Sequence, residues 1–353
     1  MRVAILGVGG VGLGMAALLL SRGHAVALVS PTGRTLRELA AGTLSAEGAV
    51  EGRFRPRIAA DAADGLDGAD AVVIAVPGNG QRAAIEALAP LVRPGQTVVI
   101  SAMASLGGVH LARLLRGRGV AATIVTLGTT VLTARRTGAA AVSVLTLRPR
   151  LDLATIPAAA LDGGLALCRD LFGDRFAPAE AMATAFANVN SVTHVGLALG
   201  NATRIELGED WPIYHCMTDS VSRLILALDA ERVAVARAFG ADPPDVERHI
   251  ARSFSVGPAP LAEMAAALHA RRGGPPGPRT MDTRFVVEDV PYGAVFTSVM
   301  GGIAGVPTPM TDAAIAVLSA LWGRDFRAEN DLLPVLGLEA LGVPGIVAAV
   351  RGD

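Results

Sequence analysis

The chain of 353 residues contains no lysine, so all 31 of its basic side chains are arginines. Enzymes that form a Schiff base with a substrate, or that use an ammonium group as an acid or base, depend on a lysine at the reacting centre. Because no lysine is present, every mechanism of this kind is excluded.

Cysteine, aromatic residues and excess charge are scarce as well. Two cysteines, Cys168 and Cys216, cannot form a disulfide framework, so we expect reduced, buried thiols in a cytosolic protein. Aromatic residues make up 4% of a chain that is 51% hydrophobic, so a core sufficient for two domains must consist mainly of alanine, valine and leucine. The net charge of −1 and the lack of a long basic run argue against nucleic acid and anionic membranes as partners.

Long hydrophobic runs are missing too. Residues 3–21 carry no charge, but five of the eight residues from Gly7 to Gly14 are glycine, which is too many for a membrane helix or a signal-peptide core. We therefore expect a soluble cytoplasmic protein.

The first 30 residues are typical of a dinucleotide-binding unit of strand, glycine-rich turn, helix and strand. The turn carries four spaced glycines, Gly7, Gly9, Gly10 and Gly12. Glycines at these positions permit a tight turn and let backbone amides approach a pyrophosphate at the helix N-terminus. The sequence therefore predicts a nicotinamide dinucleotide site at the start of the chain.

The segment after the second strand indicates which nicotinamide cofactor binds. An acidic side chain there would bind the ribose 2′-hydroxyl and repel a 2′-phosphate, but the chain has Ser30, Thr32 and Arg34. Two hydroxyls and a guanidinium suit a phosphate group, so we expect NADP(H), with NAD(H) as the alternative. An ordinary loop with a solvated Arg34 would also account for the pattern.

Strands and helices continue to alternate through the first half, and helical periods dominate from Pro178 onwards. We expect further strands at residues 69–76, 96–101, 123–127 and 140–147, and a connector at 149–157. Helices are expected at residues 81–88, 161–171, 220–239, 245–254 and 261–272. The predicted fold is an α/β N-terminal Rossmann domain with a doubly wound, mostly parallel sheet at residues 1–177, followed by an all-α C-terminal domain at residues 178–353.

Two loops at strand ends are candidate ligand contacts. Pro77 follows one strand, where such sheets hold the cofactor ribose and nicotinamide, and Thr129 follows a later strand and is a candidate to face the substrate. Alternatively, the residues of each loop are those that its turn requires, and the loop contacts no ligand.

A polar pair in an apolar helical segment is the candidate reacting group. Asn190 and His194 stand four residues apart and share one face of a helix among small apolar residues. A buried imidazole beside a buried amide needs hydrogen-bond partners. The pair is therefore either a satisfied element of the core or part of a site.

Several segments resemble the octopine/opine dehydrogenases, a resemblance that spans the whole chain. They are residues 188–194 (NVNSVTH), 201–206 (NATRIE), 218–223 (TDSVSR), 228–232 (LDAER), 284–293 (RFVVEDVPYG) and 305–309 (GVPTP). Members of that family use NAD(P)H to reduce the imine formed between an α-keto acid and the amino group of an amino acid. The resemblance implies that His194 is the catalytic histidine and that Asp289 is the carboxylate that fixes its tautomer.

The same resemblance suggests how substrates are held. Asn190 would orient the keto-acid or nicotinamide side of the pocket, and Arg284 would bind a carboxylate or the cofactor pyrophosphate. Asp289 could also cap the helix that begins near Pro291.

Apolar helices in the C-terminal half are compatible with a homodimer.

Two loops depart from the family pattern. Gly128 stands where members usually have an acidic residue, and residues 101–108 replace an Asn-Pro-Gly run. Both loops are expected to face the substrate, so the amine donor is expected to be unusual, or the substrate to differ from a standard opine precursor. His215 has no second ligand at metal spacing, so we expect no metal.

Two other functions fit the same architecture. Ketopantoate reductases and the β-hydroxyacid or glycerol-3-phosphate dehydrogenases also join a Rossmann domain to a helical half, but they use a lysine, so a keto-acid or hydroxyacid dehydrogenase on this scaffold would have to work without one. A non-catalytic NAD(P)-binding sensor would keep the glycines but would not need His194 and Asp289.

Overall fold

The computed structural model of the chain describes residues 1–30, 39, 43–272 and 274–352. Their contacts divide the chain into two compact units. The N-terminal unit contains Met1–Ala185 and the C-terminal residues from Ala348 onwards, and the second unit contains Phe186–Val347.

The described strands all lie in the N-terminal unit. They are β1 (Arg2–Leu6), β2 (Ala25–Val29), β3 (Leu44–Gly48), β4 (Gly52–Phe54), β5 (Arg57–Ile58), β6 (Ala71–Ile74), β7 (Thr97–Ser101), β8 (Thr123–Leu127), β9 (Leu132–Gly138), β10 (Ala141–Leu147), β11 (Leu151–Ile156) and β12 (Phe176–Pro178). Eight of them form one sheet in the order β12-β11-β8-β7-β6-β1-β2-β5. All neighbouring pairs in this sheet are parallel except β8 with β11. The predicted Rossmann sheet is confirmed.

Helices connect these strands and cover the sheet. They are α1 (Gly10–Ser21), α2 (Ala62–Leu66), α3 (Gly78–Leu88), α4 (Gly107–Gly117), α5 (Leu161–Phe172) and α6 (Ala181–Ala185), with a 3-10 turn at Ala158–Ala160. Strands β1, β6 and β7 are apolar and almost wholly buried, as expected for parallel strands with both faces covered.

A second, four-stranded sheet in the order β4-β3-β10-β9 was not predicted. It packs against α1, where a Cβ at Gly14 would lie 2.9 Å from Leu132 Cδ1. The strand expected at residues 140–147 exists as β10, but it pairs with β3 and β9 instead of the main sheet. Its pairing with β3 spans about a hundred residues and leaves no local signal, so the sequence pattern indicated the strand without its sheet.

The predicted connector at residues 149–157 is wrong, because most of it forms β11. Leu153 to Ile156 pair antiparallel with β8, and Leu151 pairs with Phe176 of β12. Pro149 and Pro157 flank the strand instead of interrupting it, so no ladder hydrogen bond is lost to a missing N–H.

The C-terminal unit is helical in the part of the chain that the structure describes, where the only β-type pairing is a single bridge between Pro212 and Pro276. Its helices are α7 (Asn190–Gly200), α8 (Ala202–Glu206), α9 (Asp219–Ala238), α10 (Val246–Phe254), α11 (Leu261–Arg272), α12 (Arg284–Val287), a π-helix (Val290–Ala294), α13 (Val295–Ala304), α14 (Pro309–Trp322), α15 (Leu332–Leu336) and α16 (Leu338–Arg351). The last turn of α16, from Ala348, is assigned to the N-terminal unit. Their apolar faces enclose a core of their own.

The division between the units falls after Ala185, whereas the sequence suggested a boundary after residue 177. Strand β12 and helix α6 both pack on β11, so this segment stays with the sheet. The chain end also returns to the N-terminal unit, where Arg351 lies 3.6 Å from Glu180 and Arg116 donates to the Gly352 carbonyl.

Two further observations concern the expectations from composition. Cys168 and Cys216 are free and buried, and burial raises the pKa of the Cys168 thiol to about 12. Among the helices that the structure describes, none is long and apolar enough to cross a membrane.

Candidate active site

In the N-terminal unit, the glycine-rich turn, Pro77 and Thr129 lie at one edge of the main sheet. Strands β1, β2, β6, β7 and β8 run parallel, so their carboxyl ends meet at the same edge. The glycine-rich turn follows β1, Pro77 is at the N-cap position of α3 shortly after β6, and Thr129 lies shortly after β8. The order of the sheet reverses between β1 and β6, where open α/β sheets bind their ligands.

Each of the four glycines in the turn occupies a different environment. Gly7 has a φ of 119°, and a Cβ there would overlap the Ala75 carbonyl oxygen. A Cβ at Gly12 would overlap the Gly7 carbonyl, and one at Gly10 would lie 2.7 Å from the Ala134 carbonyl oxygen. Only at Gly9 would a Cβ meet no atom within 4 Å. Gly7, Gly10 and Gly12 therefore permit close packing, and Gly9 leaves the turn open to a ligand.

The N-terminus of α1 fits a pyrophosphate. Gly9 is its N-cap, no side chain caps the helix, and its first turn contains no acidic residue. The amide groups of a helix's first turn point outward and carry partial positive charge, which favours an anion.

Of the three residues expected to select the cofactor, only one is described. Ser30 directly follows β2 and is buried. Thr32 and Arg34 lie outside the described residues, so the preference for NADP(H) stays a prediction.

The two loops that depart from the family pattern lie at the same edge of the sheet. Gln81 of α3 holds the loop after β7: its Nε2 donates to the Ala102 carbonyl at 2.6 Å, and its Oε1 accepts from the Ala104 amide at 3.1 Å. The Gly128 amide donates to the Asp152 carbonyl, and Thr129 beside it is half-buried. Both loops are thus held by hydrogen bonds to the N-terminal unit itself.

In the C-terminal unit, His194 and Asp289 form a short, sheltered pair. The distance from His194 Nδ1 to Asp289 Oδ2 is 2.7 Å, and the two side chains are 14% and 2% exposed. A carboxylate accepts hydrogen bonds, so we assign the proton of the neutral ring to Nδ1. His194 Nε2 then carries the lone pair, and none of the described residues forms a hydrogen bond with it.

Close helix packing positions His194. His194 lies in the second turn of α7. This helix packs closely against α9, because a Cβ at Gly196 would lie only 2.5 Å from Ile225 Cγ1. Asn188 precedes the helix, and its Oδ1 accepts from the Asn190 backbone amide at 3.1 Å. The half-buried side chain of Asn190 forms no hydrogen bond with the part of the chain that the structure describes.

Asp289 stands between the single turn of α12 and the π-helix. The π-helix approaches α7 closely, because a Cβ at Gly293 would overlap Ser191 Cβ. Asp289 does occupy the N-cap position of the π-helix, but its side chain makes no capping bond. Its oxygens accept instead from His194 and, at 3.4 Å, from Asn188 Nδ2. The side chain therefore serves the histidine and not the helix end.

Phe285 and Arg284 lie beside this pair on α12. The Phe285 ring stacks on the His194 ring with centroids 3.6 Å apart and planes within 5°. The Arg284 side chain is 59% exposed, and its Nε lies 3.5 Å from Glu288 Oε2. Partial desolvation lowers the pKa of Arg284, but the charges of Asp289 and Glu288 outweigh it and leave the pKa above its ordinary value. A firmly charged, exposed guanidinium is suited to binding an anion.

Another of the motif segments, residues 228–232, has a structural role. Asp229 and Arg232 form a buried ion pair at 2.7 Å. Glu231 accepts from the Met310 and Thr311 amides, each at 2.8 Å, and so caps α14.

Two contacts of the histidine–aspartate pair were not predicted from the sequence. Asn188 belongs to the same run as Asn190 and His194, and Phe285 stands directly after Arg284. Proximity to predicted residues was the only available signal, because neither type of residue indicates chemistry by itself.

His215, outside this group, has its ring 5.0 Å from that of His269, and the described residues contain no group of three or more His, Cys, Asp or Glu that could hold a metal ion.

Comparisons with known proteins match both halves of the chain. Residues 178–322 match the family described as NAD/NADP octopine/nopaline dehydrogenase, alpha-helical domain, and residues 3–156 match the family described as ketopantoate reductase PanE/ApbA. An opine dehydrogenase of Arthrobacter sp. (strain 1C) is 32% identical over 99% of this chain and 98% of its own length.

Solved structures give the same fold. Octopine dehydrogenase in complex with NADH and L-arginine has a TM-score of 0.79 at 18% identity, and the match covers 100% of this chain and 98% of that chain. The structure of octopine dehydrogenase with NADH and pyruvate has a TM-score of 0.77 at 19% identity, with the same coverage of both chains. NADP⁺-bound yersinopine dehydrogenase has a TM-score of 0.72 at 15% identity, covering 99% of this chain and 98% of its own.

Proposed function

Because this chain belongs to the opine dehydrogenase family, and is therefore an NAD(P)-dependent dehydrogenase that acts on a CH–NH bond, we propose that it reduces the imine formed between an α-keto acid and an amine. His194 acts as the acid–base group and Asp289 orients it. The observation that carries the proposal is the 2.7 Å bond between His194 Nδ1 and Asp289 Oδ2, together with an Nε2 that has no partner among the described residues.

Reduction of an imine requires a hydride and a proton. A bound reduced nicotinamide supplies the hydride. As the hydride adds to the imine carbon, the electron pair of the C=N double bond moves to nitrogen, which needs one proton to become a secondary amine. An imidazole titrates near neutral pH and can hold and release that proton at Nε2.

Asp289 makes the imidazole suitable for this role. Its carboxylate accepts from Nδ1, so it fixes the tautomer and stabilises the imidazolium when Nε2 is protonated. His194 can also remove a proton from the amine during condensation with the keto acid. General acid–base catalysis of this kind typically contributes about 10²- to 10⁴-fold in rate.

The proposed substrates are an α-keto acid and an amino acid or another amine. Octopine dehydrogenase, which shares the fold, has been solved with pyruvate and with L-arginine. We assign carboxylate binding to Arg284, whose charged group is exposed beside Asp289. Asn190 and Thr129 are the proposed polar contacts to the substrates, since both side chains are half-buried.

NADP(H) is the proposed cofactor, on the strength of Ser30, Thr32 and Arg34 in the sequence and the absence of an acidic residue among them. A cytoplasmic location stays a prediction of the sequence.

We also propose a homodimer. The one charged residue of α14, Asp312, has a half-exposed side chain that pairs with Arg327. The residues of α14 that are exposed as a whole are all apolar: Pro309, Met310, Ala313, Ala316, Val317, Ala320 and Leu321. A helix face without charge is typical of a buried interface. Light scattering after size exclusion should give twice the chain mass for the wild type and the chain mass for Val317→Glu; a monomeric wild type would contradict the proposal.

The decisive experiment follows NADPH and NADH oxidation with keto acids crossed against amines. Turnover should require both a keto acid and an amine, should be faster with NADPH, and should fall by about 10² to 10⁴ in His194→Ala. His215→Ala removes a histidine outside the site and should keep wild-type turnover.

Two results would contradict the proposal. Turnover with a keto acid alone would identify a keto-acid reductase, a function favoured by the match of residues 3–156 to ketopantoate reductase. Equal turnover of wild type and His194→Ala would remove the acid–base role.

A further inference from the structure

We propose that Phe285 is a positioning residue for His194, an inference that rests on the proposed function. The two rings are stacked with centroids 3.6 Å apart and planes within 5°, which is closer and more parallel than the other aromatic contacts that the structure describes. Aromatic pairs usually lie 4.5 to 7 Å apart in offset or edge-on arrangements. Such a close parallel contact leaves the imidazole almost no freedom to tilt.

The hydrogen bond to Asp289 cannot orient the ring alone. One bond at Nδ1 fixes the position of that atom but leaves the imidazole free to swing about it, since the χ2 torsion of histidine is broad. Phe285 covers one face of the ring and so prevents this rotation. The two contacts together give Nε2 a single direction.

The local chain holds Phe285 firmly enough for this role. Thr283 caps α12, and its Oγ1 accepts from the Phe285 amide at 3.3 Å. Val286, the next residue of the same short helix, is buried in the core. The same helix leads directly into Asp289, so one segment supplies both contacts to His194.

The stack also has a chemical consequence. An apolar ring covers one face of the imidazole, so water cannot lie against that face, while the lone pair of Nε2 stays accessible in the plane of the ring. The negative face of an aromatic ring attracts a cation, so Phe285 favours the imidazolium that forms when Nε2 takes up a proton. A leucine of similar bulk would keep the cover but lose both the flat surface and this attraction.

The test compares Phe285→Leu with Phe285→Tyr. We expect kcat to fall by about 10- to 100-fold in Phe285→Leu, because displacement of a catalytic group by about 1 Å has effects of this size. KM for both substrates and the dissociation constant of the cofactor should change little, since Phe285 is not assigned to substrate or cofactor. Phe285→Tyr keeps the ring and should restore kcat to near the wild-type value.

A second readout is independent of activity. In the NMR spectrum, the ring protons of His194 should be shifted upfield by the stacked aromatic ring in the wild type and in Phe285→Tyr, but not in Phe285→Leu. Phe254→Leu is the matched control: it removes another half-buried phenylalanine of the same unit, which contacts Tyr214, and should leave kcat and the His194 resonances unchanged.

The outcomes separate this inference from the proposed function. If His194→Ala loses turnover while Phe285→Leu keeps the wild-type kcat, the positioning role is overturned and the acid–base role stands. If Phe285→Leu and Phe285→Tyr lose kcat equally, with KM raised as well, Phe285 serves only packing. If His194→Ala itself keeps full turnover, the proposed function fails first.

Discussion

Two buried carboxylates in the C-terminal unit meet the same physical requirement in different ways. Asp229 and Asp289 are each 2% exposed, and each pairs with a basic side chain at 2.7 Å. Arg232 also donates to the Phe186 and Pro244 carbonyls, and Asp229 Oδ2 accepts from the Val246 amide, so each charged group of the first pair has further partners. His194 keeps Nε2 without a partner among the described residues. The first pair joins segments of the fold, and the second leaves a ring nitrogen available for the proposed acid–base role.

The difference comes from the partner of each carboxylate. A guanidinium has five donors, no lone pair and a charge that persists at every physiological pH. An imidazole has two ring nitrogens, and when one is bound the other can exchange a proton near neutral pH. A buried ion pair is therefore a weak indication of function unless one of its atoms remains available.

The largest expected effect is on activity, where a change in the His194–Asp289 pair should lower kcat and the matched change in the Asp229–Arg232 pair should not. Asp289→Asn keeps the shape of the side chain but removes the charge that stabilises the imidazolium, so kcat should fall by about 10² to 10⁴. Steady-state kinetics at saturating substrates measure this. Asp229→Asn is the matched change at the other carboxylate and should leave the kcat of the folded enzyme near the wild-type value. Equal losses in both variants would show that the comparison does not hold.

The next effect is on the free energy of unfolding, which should depend strongly on the Asp229–Arg232 pair. Arg232→Met leaves Asp229 as a buried charge without its partner and should lower the free energy of unfolding by about 3 to 5 kcal/mol. Urea titration followed by circular dichroism measures this. The double variant Asp229→Leu/Arg232→Met removes both charges and should lose less than Arg232→Met alone. A loss below about 1 kcal/mol in the single variant would contradict the structural role.

The smallest effect concerns a third, half-exposed carboxylate. Asp312 accepts from Ser298 Oγ and Arg327 Nη2, each at 2.6 Å. Burial raises the pKa of Asp312, but these hydrogen bonds outweigh it and leave the pKa below its ordinary value. A carboxyl group with a lowered folded pKa stabilises the fold above its unfolded pKa, and this stability is lost as the pH falls through the folded pKa.

Asp312→Asn should therefore lower the free energy of unfolding at pH 7 by no more than about 1 kcal/mol, because exposed ion pairs contribute little. The difference from the wild type should shrink as the pH falls below about 4, where the wild-type carboxyl begins to take up its proton. Urea unfolding at several pH values measures both. A difference that grows in acid would contradict the sign of the pKa shift.

Local patterns were sufficient for many elements of both units. The strand expected at residues 123–127 and the helix expected at 261–272 have these bounds in the structure. The glycine-rich turn was also predictable, because its strand, turn and helix follow each other within about 20 residues. Such elements depend on neighbouring residues, which periodicity and turn chemistry describe well.

Contacts between distant segments account for several features that were not predicted from the sequence. Strand β11 was hidden between two prolines that favour a loop, and its partner β8 lies more than 20 residues earlier. Asn188 and Phe285 were missed because an asparagine before a helix and a phenylalanine in one are ordinary residues. Their significance lies in what they touch, 101 and 91 positions away along the chain.

The sequence by itself determined the alternation of strands and helices, the open glycine turn and the helical character of the second half, because each is encoded in residues close together in the chain. It also excluded lysine chemistry outright. The family resemblance implied that Asp289 pairs with His194, but only the tertiary structure decided that Nδ1 is the nitrogen that meets it and that Phe285 lies over the ring. Those contacts join segments about 95 residues apart and depend on the close approach of α7 and the π-helix at Gly293, for which a linear pattern carries no signal.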